Sequence, residues 1–226
     1  ENGKKIVSDL IEPNDLVVLV VPIDESAPKG RLILPQQQVI RDVLESGATA
    51  VVCKDTELTQ TLASLGRKPK LVITDSQAFG RVSKDTPADI PLTSFSILFV
   101  RYKGDLTAAV HGAAQLDKLK DGDKILISEG CTHHRQCEDI GTVKIPALVC
   151  KTSGADVSFD FKSGSDFPED LTPYDLIIHC GGCMFNRKHV LNRIEQARSQ
   201  GIAITNYGIV VAYINKIINK VVYPTE

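Results

Sequence analysis

Short runs of β-branched and aliphatic residues recur along this chain, at Leu16–Val21, Ala50–Cys53, Leu71–Thr74, Ile97–Val100, Ile125–Ser128, Leu176–His179 and Ile202–Thr205. Runs this short, largely apolar and without polar alternation, read as strands buried on both faces, which is how strands of parallel sheets look when helices cover them. Helical spacing lies between the runs. Val39, Ile40, Val43 and Leu44 repeat at helical intervals before Gly47, and Leu106, Val110, Ala113 and Leu116 do so after a capping Asp105. Strand alternating with helix predicts the α/β class, with mostly parallel sheets and right-handed crossovers.

The segment Lys84-Asp-Thr-Pro-Ala-Asp-Ile-Pro91 is polar, carries two prolines and interrupts the pattern. It divides the chain into two small α/β domains, residues 1–83 and 84–226. A first sheet this small has open edges and a limited core, and pairing with a second copy would cover both. Homodimerisation through the N-terminal half is therefore expected.

Lys and Arg total 26 against 28 Asp and Glu, and no basic block offers a surface to a phosphate backbone or an anionic membrane. The longest apolar run, Leu16–Ile23, is far short of the roughly 20 residues of a membrane helix. Neither nucleic acid nor membrane is an expected partner. A chain that begins with Glu and lacks an apolar signal region reads as a fragment or processed form. No phosphate loop and no dinucleotide fingerprint follows any strand, so nucleotide binding in either familiar way is not expected.

Five of the six cysteines lie between positions 131 and 183, too clustered for a disulfide framework and suggesting a reducing cytoplasm. Four of the five histidines, His133, His134, His179 and His189, fall in or beside that window. Ile125-Leu-Ile-Ser-Glu-Gly-Cys131-Thr-His133 is a buried strand running into Cys-x-His, and Asp175-Leu-Ile-Ile-His179-Cys180-Gly-Gly-Cys183 is a second running into His-Cys-x-x-Cys. Both elements point to the carboxyl ends of strands, where open α/β sheets hold ligands. Gly181 and Gly182 let the chain turn tightly between two sulfurs, and a helix over Asn186–Gln200, with Val190, Leu191, Ile194 and Ala197 inward, begins just beyond. Bringing Cys131 and Cys180 together closes a loop costing roughly 3 kcal/mol in entropy, which the fold must offset.

Thiolates with imidazoles suit zinc or iron–sulfur and poorly suit calcium or magnesium. Three cysteines and a histidine would close a structural zinc site; three cysteines on a cubane would leave its fourth iron to His133, His179, Glu129 or another ligand. A Cys-x-x-Cys dithiol redox pair is a further alternative, though it leaves Cys131 without a role. Cys53 and Cys150 sit in apolar runs and read as buried, idle thiols. Cys137 reads as a thiol near the site, His111 as a helix residue, and His134 and His189 as neighbours of the site rather than ligands.

Cys131-x-His133 followed by His179-Cys180-x-x-Cys183 resembles the signature of the HydF family, maturation factors of [FeFe]-hydrogenases. The resemblance extends through Leu34-Pro-Gln-Gln-Gln-Val-Ile-Arg-Asp42, Thr74-Asp-Ser-Gln-Ala-Phe79, Arg101-Tyr-Lys-Gly-Asp105, Asp139-Ile-Gly-Thr-Val-Lys-Ile-Pro146 and His179-Cys-Gly-Gly-Cys-Met-Phe-Asn-Arg187. It implies a dimerisation domain followed by a cluster-binding domain, without the family's N-terminal GTPase, and hence a scaffold or carrier rather than an enzyme. It implies a [4Fe-4S] cluster on Cys131, Cys180 and Cys183, with His133 and His179 as the motif histidines. The implied cargo is a two-iron subcluster precursor, received with the radical-SAM maturases and delivered to apo-[FeFe]-hydrogenase.

Overall fold

The computed structural model describes residues 3–23, 29–130, 140–182 and 184–225. They form two compact units, Glu1–Tyr102 with Asn215–Glu226, and Lys103–Ile214. Among the described residues no helix is long and apolar enough to cross a membrane.

The first unit runs β1 (Leu16–Val20), α1 (Leu34–Glu45), β2 (Thr49–Cys53), α2 (Leu58–Ser64), β3 (Leu71–Thr74), α3 (Phe79–Asp85), β4 (Leu92–Ser94) and α4 (Phe95–Lys103). The four strands are parallel, in the order β2-β1-β3-β4. Central β1 is buried at every residue, as an unalternating apolar run requires, whereas edge strand β2 leaves Val52 exposed. Val17, Leu19, Val39, Val43, Ile73, Leu98 and Phe99 share one core cluster. Helix α1 carries Pro35 in its first turn, and the Gln36 side chain accepts from the Ile33 amide at 3.1 Å. Further along the same helix, the Asp42 carboxylate accepts from the amides of Val7 and Ser8 at 2.8 and 2.9 Å, tying down the N-terminal segment.

The second unit runs α5 (Leu106–Ala113), β5 (Lys124–Glu129), α6 (Ile145–Ser153), β6 (Ser158–Ser163), β7 (Leu176–His179), α7 (Arg187–Ser199), β8 (Ala203–Asn206) and α8 (Tyr207–Ile214). Its strands are also parallel, in the order β6-β5-β7-β8. Each sheet therefore places its first strand between its second and third, the same topology twice in a chain whose sequence has no evident repeat. In that order the winding reverses between first and third strands, and the crevice beyond their carboxyl ends is the usual place for a ligand. In this unit those strands are β5 and β7. Helix α5 lies close against β8 because Gly112 has no side chain: a Cβ there would stand 2.1 Å from the Ile204 carbonyl oxygen.

The α/β class with two parallel sheets flanked by helices is the one expected from the sequence, but three particulars differ. Ile97–Val100 belongs to helix α4, not to a strand; Ile97, Leu98 and Phe99 are all buried, so the segment lacks the polar face that separates helix from strand by period. Ser94 caps that helix by accepting from the Ile97 amide at 3.2 Å, a signal the sequence does contain. The three-residue strand β4 is additional, and so is strand β6. Along β6, Phe159 and Phe161 alternate with Ser158, Asp160 and Lys162, a period-two pattern rather than a continuous apolar run.

Third, the two-proline segment 84–91 lies within the first unit, since β4 beyond it pairs with β3 through Val72–Leu92, Ile73–Thr93 and Thr74–Ser94. The chain leaves this unit only after Tyr102 and returns to it at Asn215, adding α9 (Ile218–Val222). Arg101 fastens the return by donating to the Thr225 carbonyl at 2.8 Å.

Candidate metal centre

Two of the five motif residues, His179 and Cys180, are described; Cys131, His133 and Cys183 lie outside the described residues, as do His134 and Cys137. Among the described residues no three potential ligands converge. The surroundings of Cys180 nonetheless define a site.

His179 ends β7, opposite Ser128 of β5, and the Cys180 amide continues the ladder by donating to the Ser128 carbonyl at 2.9 Å. That fixes the backbone of Cys180 at the carboxyl end of the sheet, between β5 and β7. Its sulfur accepts two backbone amides, from Gly130 at 2.9 Å and from Gly182 at 3.4 Å. Amide donors around a sulfur favour the thiolate and tune a bound metal. Of the two glycines expected to make the turn, Gly182 takes the left-handed conformation, at φ +63°, while Gly181 does not. The turn is closed by the Phe185 amide donating to the Gly182 carbonyl at 3.0 Å, and Lys103 donates to the Phe185 carbonyl at 2.9 Å.

Arg193, on α7, was not anticipated. The residue is 4% exposed, and its side chain forks across three strand ends. One terminal nitrogen donates to His179 Nε2 at 2.9 Å and to Ser128 Oγ at 3.2 Å; the other donates to the carbonyl of Gly164, just beyond β6, at 2.7 Å. The guanidinium carbon lies 4.7 Å from the centre of the Phe167 ring and 4.4 Å from that of Phe185. In sequence, position 193 sits on the stripe of Val190 and Ala197 at helical spacing; Val190 and Leu191, expected inward, are only half-buried.

These contacts assign the state of His179. An arginine only donates, so Nε2 accepts; the proton is then on Nδ1, which donates to the Cys180 carbonyl at 2.7 Å. Both ring nitrogens are thus engaged with protein groups, and the ring steadies the Cys180 backbone. Burial, with the Arg193 and His189 charges acting the same way, pushes the imidazole down to about 4 against the contrary effect of the Cys180 carbonyl. The ring is neutral at neutral pH.

The remaining predicted residues are placed as follows. Glu129 is buried at the end of β5 and accepts from Tyr207 Oη at 3.1 Å. The half-buried His189 stacks on Phe185 with ring centres 4.2 Å apart, beside the site as expected. His111 is an exposed residue of α5. Cys53 is half-buried and burial raises its thiol, but Cys150 is exposed, contrary to its reading as a buried thiol, because it falls on the outer side of α6 rather than in a strand.

Two family models match, the hydrogen maturase F dimerization domain over residues 6–104 and the hydrogen maturase F tetramerization domain over residues 107–224. None of the curated proteins matches. Among solved structures, an O-succinylbenzoate coenzyme A synthetase (MenE) from Bacillus subtilis in complex with AMP is 9% identical over 88% of this chain, with a TM-score of 0.32; the chain spans 63% of that protein's length. An NtrC family transcriptional regulator from Clostridium acetobutylicum is 10% identical over 92% of this chain and 96% of its own, with a TM-score of 0.27. Those two likenesses are too weak to inform the fold or the site. The family matches decide the matter: the chain belongs to the hydrogen maturase F family, whose dimerization and tetramerization domains it carries.

Proposed function

We propose that the chain is a scaffold in [FeFe]-hydrogenase maturation that holds a [4Fe-4S] cluster through Cys131, Cys180 and Cys183 and carries a two-iron subcluster precursor to the apo-hydrogenase. One observation carries the reading. The residues immediately preceding the other two cysteines, Gly130 and Gly182, both donate their amides to the sulfur of Cys180, at the switch point between β5 and β7. Such a sulfur suits a thiolate ligand of an anionic cluster, and the buried cation of Arg193 nearby suits the same charge. When bound, the cluster would supply an iron outside the thiolate set, to which a bridging group of the cargo can attach.

Within this reading His179 holds Cys180 in place, and the fourth iron takes its ligand elsewhere. The family's dimerization and tetramerization domains support self-association. We assign the homodimer to the first unit, where Leu44 and edge residue Val52 present exposed apolar side chains. The radical-SAM maturases are the expected source of cargo and the cytoplasm the expected compartment.

The test is anaerobic reconstitution of the full chain with iron and sulfide, followed by metal and sulfide analysis. About four irons per chain are expected, with retention lost in Cys131→Ala, Cys180→Ala and Cys183→Ala. Full iron content in the Cys180→Ala and Cys183→Ala variants, or one zinc per chain without labile sulfide after anaerobic purification, would overturn it.

A further inference from the structure

Arg193 is a buried cation that has no carboxylate partner among the described residues. Its acceptors are an imidazole nitrogen, a hydroxyl and a carbonyl, all neutral, and its other close neighbours are the rings of Phe167 and Phe185. Neutral acceptors satisfy the N–H groups but leave the charge itself uncompensated, and an uncompensated buried charge is costly unless an anion lies close by. The fold sets Cys180 next to this fork: the two residues to which one guanidinium nitrogen donates, Ser128 and His179, also hold the Cys180 backbone, through the Ser128 carbonyl and His179 Nδ1. Burial lowers the guanidinium, and a thiolate at Cys180 acts the other way.

We propose that Arg193 is the positioning residue of the centre: its fork fixes the tautomer of His179 that holds Cys180, and its charge is balanced by the thiolate-bound cluster, favouring the cluster's reduced state. The inference rests on the iron–sulfur reading above. Adding an electron to a cluster already anionic through its thiolates increases the negative charge facing the guanidinium. Cluster potentials respond to such charge and to hydrogen bonds around the sulfurs, so removing the cation lowers the midpoint potential. The fork acts differently, through geometry: only a donor placed at His179 Nε2 forces the proton onto Nδ1, where it reaches the Cys180 carbonyl.

Three full-length chains separate these effects after anaerobic reconstitution: wild type, Arg193→Lys and Arg193→Gln. Potentiometric titration, followed by the paramagnetic signal of the reduced cluster, is expected to place the Arg193→Gln midpoint more negative than wild type. The expected size is a tenfold or greater loss in the reduction equilibrium, which is about 59 mV for one electron. Arg193→Lys, which keeps the charge, is expected to recover most of that shift. Equal midpoints in wild type and Arg193→Gln overturn the inference while leaving the cluster reading intact; a wild-type chain that takes up no cluster overturns both. Nitrogen-15 NMR of wild-type apoprotein needs no variant and keeps the test decisive if Arg193→Gln fails to fold. A protonated Nδ1 on His179 is expected, and a protonated Nε2 would overturn the assignment.

Discussion

The amide of Gly130 donates to the sulfur of Cys180 at 2.9 Å, joining the end of β5 to the end of β7 across the point where the sheet's winding reverses. This approach depends on a residue without a side chain. A Cβ at position 130 would stand 3.1 Å from the edge of the Phe185 ring and 3.4 Å from the Cys180 sulfur. The ring is not free to yield, because it stacks on His189 and covers Arg193. Gly130→Ala is expected to cost about 1–3 kcal/mol by overpacking and to lower iron retained per chain while the sheet stays folded. Urea denaturation and iron analysis of the same preparation measure the two effects.

The adjoining turn separates the roles of its two glycines. Gly181 has an ordinary backbone and open space where a Cβ would go, whereas Gly182 is left-handed and a Cβ there would come within 3.2 Å of Val190. Gly181→Ala is expected to leave stability unchanged or raise it slightly. Gly182→Ala is expected to cost about 1–2 kcal/mol from the backbone conformation alone. Thermal unfolding of the two variants side by side checks the contrast; equal losses would mean the turn adopts another conformation.

How far the sequence discloses this molecule depends on the kind of signal each part needs. Leu16–Val20 and Leu176–His179 were legible as strands because burial on both faces removes polar residues from the run, and His179-Cys180 was legible as a strand-end element for the same reason. Ile97–Phe99 was not, since complete burial erases the period that distinguishes a helix from a strand. Arg193 was hidden more deeply. A charged residue in an amphipathic helix reads as solvated, and its acceptors Ser128 and Gly164 lie 65 and 29 residues away, a proximity that only the fold creates. The glycines divide likewise: the turn at Gly182 follows from local motif, but the need for Gly112 comes from a neighbouring strand.

Gly112 is the most demanding of these positions. The atom a Cβ would strike, the Ile204 carbonyl oxygen at 2.1 Å, is backbone of β8 and cannot rotate aside. Helix α5 would have to lift from the sheet, breaking the bond in which Thr205 Oγ1 donates to the Ala109 carbonyl at 2.7 Å. Gly112→Ala is therefore expected to destabilise the second unit by about 3 kcal/mol, more than Gly130→Ala, and urea midpoints measure the order.

Away from the centre, Tyr174 provides a pH-dependent marker. Burial, and then its bond to Asp160 at 2.9 Å, raise the phenol to about 12, while Lys124, paired with Asp160 at 2.8 Å, holds that carboxylate below its usual range. A phenol raised in the folded state contributes stability that is fully present below its unfolded value of roughly 10 and lost as pH rises through the folded value. Phenolate absorbance of wild type minus Tyr174→Phe is expected to titrate near 12; a difference curve centred at the ordinary value would mean the bond to Asp160 does not persist in solution.

The last prediction concerns where the chain can be divided. A cut within segment 84–91 would strip β4 of its partner β3 and leave residues 215–226 without the unit they complete, including the Asp9 carboxylate that pairs with Arg101. Fragment 88–226 is therefore expected to expose the buried residues Leu92, Phe95, Leu98 and Phe99, to bind a hydrophobic dye and to aggregate. Fragment 103–214 contains all four strands of the second sheet and the Arg193 network, and is expected to unfold in a single cooperative urea transition without dye binding. A well-behaved 88–226 fragment with an unstable 103–214 fragment would place the division back at the prolines.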